Sequence, residues 1–202
     1  MKEIKIILSL ILLAFVLSSV GNVTAGTIKG KVEIKGIRRP SNVVVYIDKA
    51  PGEFKPPAEH AQMDQKNMAF LPHVLPVVAG TTVDFLNNDE VLHNVFSSND
   101  CAENFNLGTW GKGEARPYQF KNADCNAIIL CKPHPEMEAW VVTLQNPYFG
   151  KTDKTGAFSI KDVPAGKYTL KLWHKEAKGP DQEVTISQDG EVVLDIKMNR
   201  TK

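Results

Sequence analysis

Residues 126–137 read NAIILCKPHPEM. The apolar run Ala127-Ile128-Ile129-Leu130 has the length and composition of a buried strand. It ends at Cys131, and His134 and Met137 follow at intervals of three residues. Pro133 and Pro135 fix φ on either side of His134 and remove two backbone donors. The stretch therefore reads as a β-strand that delivers a thiol, an imidazole and a thioether on one stiffened loop.

Outward from this strand the chain keeps the same character. Thr27–Ile34, Thr82–Leu86 and Glu183–Ile186 alternate apolar and polar residues with the period of half-buried strands. Turn residues punctuate them at Pro51-Gly52, Asn87-Asn88-Asp89, Lys154-Thr155-Gly156 and Gln188-Asp189-Gly190. Beyond residue 25 no segment sustains a helical period; one helical turn is expected near residues 57–66, where Ala58 and Ala61 stand among glutamate and glutamine. The fold class is all-β, a sandwich or barrel.

Residues 1–25 begin MKEIK, continue through an apolar run from Ile6 to Val20 and end Val23-Thr24-Ala25. This is the pattern of a signal peptide cleaved after Ala25. The run falls short of the roughly 20 apolar residues of a spanning helix, so no membrane span is expected in the mature chain. No cysteine stands where a lipid anchor would need one. A periplasmic or secreted location follows, in an oxidising compartment. Removing Lys2, Lys5 and Glu3 from 24 basic and 23 acidic residues leaves 22 of each. A chain so balanced is not expected to bind nucleic acid.

Three cysteines in an exported chain leave one over. An extended strand separates Cys125 from Cys131 by about 20 Å, beyond the reach of a disulfide. Cys101 with Cys125 is then the natural pair, and Cys131 is the free thiol.

A mononuclear type 1 copper site takes two imidazoles and a thiolate in a trigonal plane with a weak axial methionine. Cys131, His134 and Met137 supply three of these groups, and His93, after a strand and the polar turn at residues 87–89, supplies the second imidazole. Zinc fits less well, because methionine is a poor zinc ligand and no second cysteine pair completes a tetrahedron. A Cys/His nucleophile lacks an orienting partner, and no haem-attachment or paired His-x-His motif occurs. His60, Met63, Met68 and His73 are read as scattered surface and core residues rather than an accessory copper-collecting patch, and His174 as a strand-end histidine.

Phe70–Val77, Gly80–Asp89, His93–Ser97 and Cys131–Met137 together resemble a cupredoxin, a plastocyanin/amicyanin-like type 1 blue copper domain with a Greek-key sandwich, over roughly residues 66–145. The short His134–Met137 spacing is similar to that of amicyanin. The resemblance implies His93, Cys131, His134 and Met137 as ligands of one copper, and Asn94 as a neighbour that orients the thiolate and ties the two loops. Many relatives carry a Pro-Gly turn where this chain has Asn122-Ala123-Asp124-Cys125.

The flanks, Gly30–Gly36 with Val43–Ile47 and Thr152–Ile160 with Val163–Leu170, resemble a carboxypeptidase-regulatory-like, transthyretin-type sandwich, as in exported methylamine-utilisation-like proteins. The organisation expected is a signal peptide over 1–25, first strands of this sandwich over 26–58, the cupredoxin domain over 59–146 and the remaining strands over 147–202. No His-x-x-Glu zinc motif is present, so peptidase activity does not follow. The function expected is one-electron transfer to and from a redox protein through the edge of His134, with no small-molecule substrate and no enzymatic activity. The alternative is copper binding or delivery without redox work.

Overall fold

The computed structural model describes residues 25–201. The expected leader lies outside the described residues except for Ala25, which opens the first strand. Two strands come first, β1 (Ala25–Lys35) and β2 (Val44–Ile47). Then follow β3 (Ala61–Lys66), β4 (Ala69–Leu71), β5 (Val74–Val78), β6 (Thr81–Asn87), β7 (His93–Phe96), β8 (Asn106–Trp110), β9 (Ala115–Phe120), β10 (Cys125–Leu130) and β11 (Glu138–Leu144). The chain closes with β12 (Phe149–Lys151), β13 (Ala157–Pro164), β14 (Gly166–Trp173), β15 (Ala177–Lys178), β16 (Gln182–Ile186) and β17 (Glu191–Arg200). Among the described residues the only helical element is a 3₁₀ turn at Asp100–Ala102, and no helix is long and apolar enough to cross a membrane. The fold is all-β.

Four sheets form two sandwiches. Sheets of order β4-β3-β6-β9 and β5-β11-β10-β7-β8 make the inner unit, and sheets of order β13-β1-β17-β15 and β12-β2-β14-β16 make the host around it. The inner unit is inserted between β2 and β12, which are themselves antiparallel partners with Tyr46 opposite Phe149. In the host, β1 runs parallel to β17 from Thr27 opposite Glu191 to Lys35 opposite Asn199, joining the two ends of the described chain. Gly30 permits this approach, since a Cβ there would lie 2.0 Å from the carbonyl oxygen of Leu194.

Period-2 burial builds the inner core. In β6, Thr81, Val83, Phe85 and Asn87 are buried and their neighbours are not. In β10 the buried set is Cys125, Ala127 and Ile129. Val83, Phe85, Cys125, Ala127 and Ile129 meet Met63, Val95, Trp110, Met137 and Val141 in one cluster. Burying each large apolar side chain stabilises the fold by about 1.5–3 kcal/mol. The apolar run of β11 has a second cause: Ala139 and Val141 face this core, whereas Val142 and Leu144 join Val44 and Val74 between the two sandwiches. Trp140 and Trp173 meet across that junction with ring centroids 5.3 Å apart. Lys175 of the host forms an ion pair with Glu138, the residue after Met137.

The helical turn expected near residues 57–66 does not form. Residues 61–66 are β3, parallel to β6 with Met63 opposite Phe85, and Met63 and Gln65 are buried. The buried Gln65 amide donates to the Leu86 carbonyl at 3.0 Å. Pairing with β6 outweighs the helical preference of Ala61, Gln62 and Gln65, which is worth only tenths of a kcal/mol per residue.

Candidate metal centre

Two neighbouring strands build the site. β10 and β7 are antiparallel with Leu130 opposite Phe96. Continued past Leu130, that register brings the 131–134 loop beside His93 and Asn94, at the start of β7. A bulge between Asn94 and Phe96 in the pairing with β8 leaves His93, Asn94 and Val95 all buried. Bulges of this kind re-aim side chains next to functional sites. In the loop, the Met137 N–H donates to the His134 carbonyl at 2.9 Å, closing a four-residue turn with Pro135 at its second position. That turn carries the chain straight from His134 to the buried Met137 and into β11.

One ligand atom from each of His93, Cys131 and His134 lies within 4.8 Å of the others. The His93 and His134 Nδ1 atoms are 3.0 Å apart, and they lie 3.8 and 3.6 Å from the Cys131 Sγ. Metal–nitrogen bonds of about 2.0–2.1 Å and a metal–sulfur bond of about 2.3 Å, at trigonal to tetrahedral angles, require N···S edges of about 3.6–3.8 Å and an N···N edge of about 3.5 Å. Both N···S edges fit; the rings must part by about half an ångström to meet the third. His93 is wholly buried, Cys131 and Met137 are 2 % and 1 % exposed, and His134 is part-exposed. Only His134 offers an edge to solvent.

Cys101 and Cys125 form a disulfide, and Cys131 is free. Burial pushes the Cys131 thiol above its ordinary range, against backbone N–H groups of Asn94 and His134 that favour the thiolate. A metal that displaces the thiol proton would reverse that shift, on the same side as the two N–H groups. Asn94 stands between the two loops. Its backbone N–H donates to Sγ at 3.3 Å, its side-chain oxygen accepts from the Lys132 N–H at 3.4 Å, and its amide donates to Asn106 and to the Gly108 carbonyl.

One partner of the site had no signal of its own in the sequence. His93 Nε2 lies 3.0 Å from Asp89 Oδ2. The Asp89 carboxylate accepts N–H groups from Met68 and Glu90, which together with His93 hold it below the usual carboxylate range. The other residues weighed are dispersed. Met63 is buried in the inner core, His60 pairs with Asp84, and Met68 is exposed. His73 lines a groove of about 220 Å³ between the sandwiches with His174, Arg39 and Lys175.

A buried cysteine sulfur with two imidazoles and a neighbouring thioether, on a β-sandwich, defines a copper-type site of soft and borderline donors. One family model agrees with that class. The model of the copper binding proteins, plastocyanin/azurin family, matches residues 58–144, and that of polysaccharide lyase family 4, domain II, matches residues 126–194. The first of these matches supports a cupredoxin domain in the inner unit and copper as the metal. For the host, the carboxypeptidase-regulatory-like likeness is not what the second match describes. Among solved structures, a purple cupredoxin from Nitrosopumilus maritimus is 23% identical, covering 41% of this chain and 98% of its own, with a TM-score of 0.38. A reduced amicyanin variant is 24% identical, covering 49% and 97%, with a TM-score of 0.40. A copper-containing nitrite reductase from Thermus scotoductus is 22% identical, covering 49% of this chain but only 25% of its own, with a TM-score of 0.42. No curated protein matches the chain significantly.

Proposed function

We propose that the chain is an exported, single-copper, type 1 electron carrier that exchanges one electron at a time with a redox protein. One observation carries this reading: His93 Nδ1, Cys131 Sγ and His134 Nδ1 converge within 4.8 Å at one pole of the inner sandwich. With Met137 as the weak fourth donor, this is the donor set of a blue-copper centre. Copper held there supplies the change between Cu(II) and Cu(I).

The residues perform the rest. The turn closed by Met137 N–H and the contacts of Asn94 hold the donors in place before metal arrives, so little rearranges on electron transfer. Burial of His93 and Cys131 keeps water from the metal position. The part-exposed edge of His134, between the exposed Pro133 and Pro135, is the port for the electron. The mature chain of this reading starts after Ala25 and works in the periplasm or outside the cell. Its cupredoxin domain spans about residues 59–146 within a carboxypeptidase-regulatory-like host, and no substrate is turned over.

Expressing the mature chain with copper and recording visible and electron paramagnetic resonance spectra tests the reading. An intense blue band and a reversible midpoint potential are expected, and Cys131→Ser abolishes the colour while the far-UV circular dichroism stays that of the wild type. Colourless Cu(I) passed readily to a chelator would favour copper delivery, and blue colour retained in Cys131→Ser would sink the assignment.

A further inference from the structure

We propose that Asp89 is a positioning residue of the metal centre: its carboxylate fixes which nitrogen of His93 faces the metal and adds the negative charge that makes the site favour the more oxidised ion. The inference rests on the copper reading above.

The geometry begins with a fully buried imidazole. His93 has its two nitrogens on opposite errands, Nδ1 toward Cys131 and His134 and Nε2 toward Asp89 Oδ2 at 3.0 Å. A carboxylate oxygen accepts and cannot donate, so the proton of a neutral ring resides on Nε2 and the Nδ1 lone pair is free. The carboxylate is itself held. Oδ2 also accepts the Met68 N–H at 2.9 Å, Oδ1 accepts the Glu90 N–H at 3.3 Å, and the Asp89 N–H donates to Asn87 Oδ1 at 2.9 Å. Asn87, wholly buried, donates in turn to the carbonyls of Val91 and Trp110. The loop from Asn87 to His93 is thus a bracket whose hydrogen bonds converge on one carboxylate.

The two histidines are therefore unlike. Among the described residues, His93 has a carboxylate on its outer nitrogen, whereas His134 pairs with no carboxylate and reaches solvent. A carboxylate behind a ligand imidazole raises its basicity and orients its ring. It also changes the charge balance. One thiolate and one carboxylate neutralise a doubly charged ion, but leave one excess negative charge beside a singly charged one. With His93 and Cys131 buried and Asp89 only 18 % exposed, water screens that difference weakly. The oxidised state gains.

The test uses Asp89→Asn in the full mature chain. The amide keeps an oxygen for the Met68 N–H and removes the charge. Copper(II) binding to the apo-protein, read by competition with a chelator, is expected to weaken 10–100-fold, with Cu(I) binding nearly unchanged. The midpoint potential then rises by about 59 mV for each tenfold in that ratio. Glu90→Gln removes an adjacent charge whose ion pair with Lys112 lies in solvent, and should leave the ratio unchanged. Asp89→Glu, which keeps the charge, should hold the ratio near the wild-type value and stands in if the amide variant does not fold. A blue Asp89→Asn protein with an unchanged ratio overturns this inference and leaves the copper reading intact, as do equal shifts in all three variants. A wild-type protein without the blue band overturns both.

Discussion

The backbone N–H of Asn94 points at the Cys131 sulfur from 3.3 Å, across 37 residues of sequence. The side chain of the same residue reaches Asn106, Gly108 and Lys132, so one asparagine joins the strand that starts at His93 to the loop that holds the thiol. Asn94→Ala keeps the N–H to sulfur and removes the side-chain bonds to Asn106, Gly108 and Lys132. A loss of about 1–3 kcal/mol is expected, with copper still bound. Urea titration of the copper-free protein checks the loss; an unchanged midpoint would show that the asparagine side chain braces nothing.

Met137 separates an electron-transfer centre from a generic copper trap. Leucine has a similar volume, and Met137→Leu in the buried cluster should cost less than about 1.5 kcal/mol. Copper and an intense visible band should persist, because His93, Cys131 and His134 remain. Loss of the axial donor destabilises Cu(II) more than Cu(I), so the potential should rise. Voltammetry decides; copper lost outright would make the methionine a primary anchor and favour the delivery function.

Leu144 reports on the junction rather than the metal. It is 3 % exposed and packs with Val44, Val74 and Val142 between the sandwiches. Leu144→Ala should cost about 2–5 kcal/mol and leave the visible spectrum as it was. If the variant melts in two separated calorimetric steps where the wild type melts in one, the junction is what couples the two units.

The groove histidines give a pH dependence. Burial, then the Lys175 cation, lowers the His73 pKa, and burial lowers that of His174. The unfolded chain then takes up protons first as pH falls. Their contribution to stability is complete above the unfolded value of about 6.5 and declines as pH falls through it toward the lowered folded values. The melting temperature should drop between about pH 7 and 5, and His174→Asn should flatten that slope. A slope unchanged in His174→Asn and in His73→Asn would exclude both. Asp89 and Asp153, whose pKa values are also lowered, act in a separate window, below about pH 4.

Part of the candidate centre was legible because Cys131 and His134, two of its three converging residues, share one seven-residue loop with Met137. Cys131, His134 and Met137 are chemically unusual company, and two prolines mark the loop as rigid. His93 could be placed because a strand and a polar turn precede it. Asp89 could not be, since Asp89 and Glu90 stand side by side and only the path of the turn brings the first of them to His93 Nε2. The strand at residues 61–66 was hidden for a related reason. Its own residues tolerate a helix, and what decides against one is β6, some twenty residues further on. Likewise β1 shows its alternation in sequence, but its parallel partner β17 lies at the far end of the chain.

The insertion point has an architectural consequence. Because Tyr46 and Phe149 are opposed on adjoining strands, the chain enters and leaves the inner unit at nearly the same place. The inner unit is a cassette moored at both ends: removing it and closing Ile47 to Tyr148 with a tight reverse turn would leave the sheet order of the host intact. A double mooring also limits swivelling in a way that a single tether would not. The face that carries His93, Cys131 and His134 is thus presented at a set attitude to whatever the host sandwich rests against.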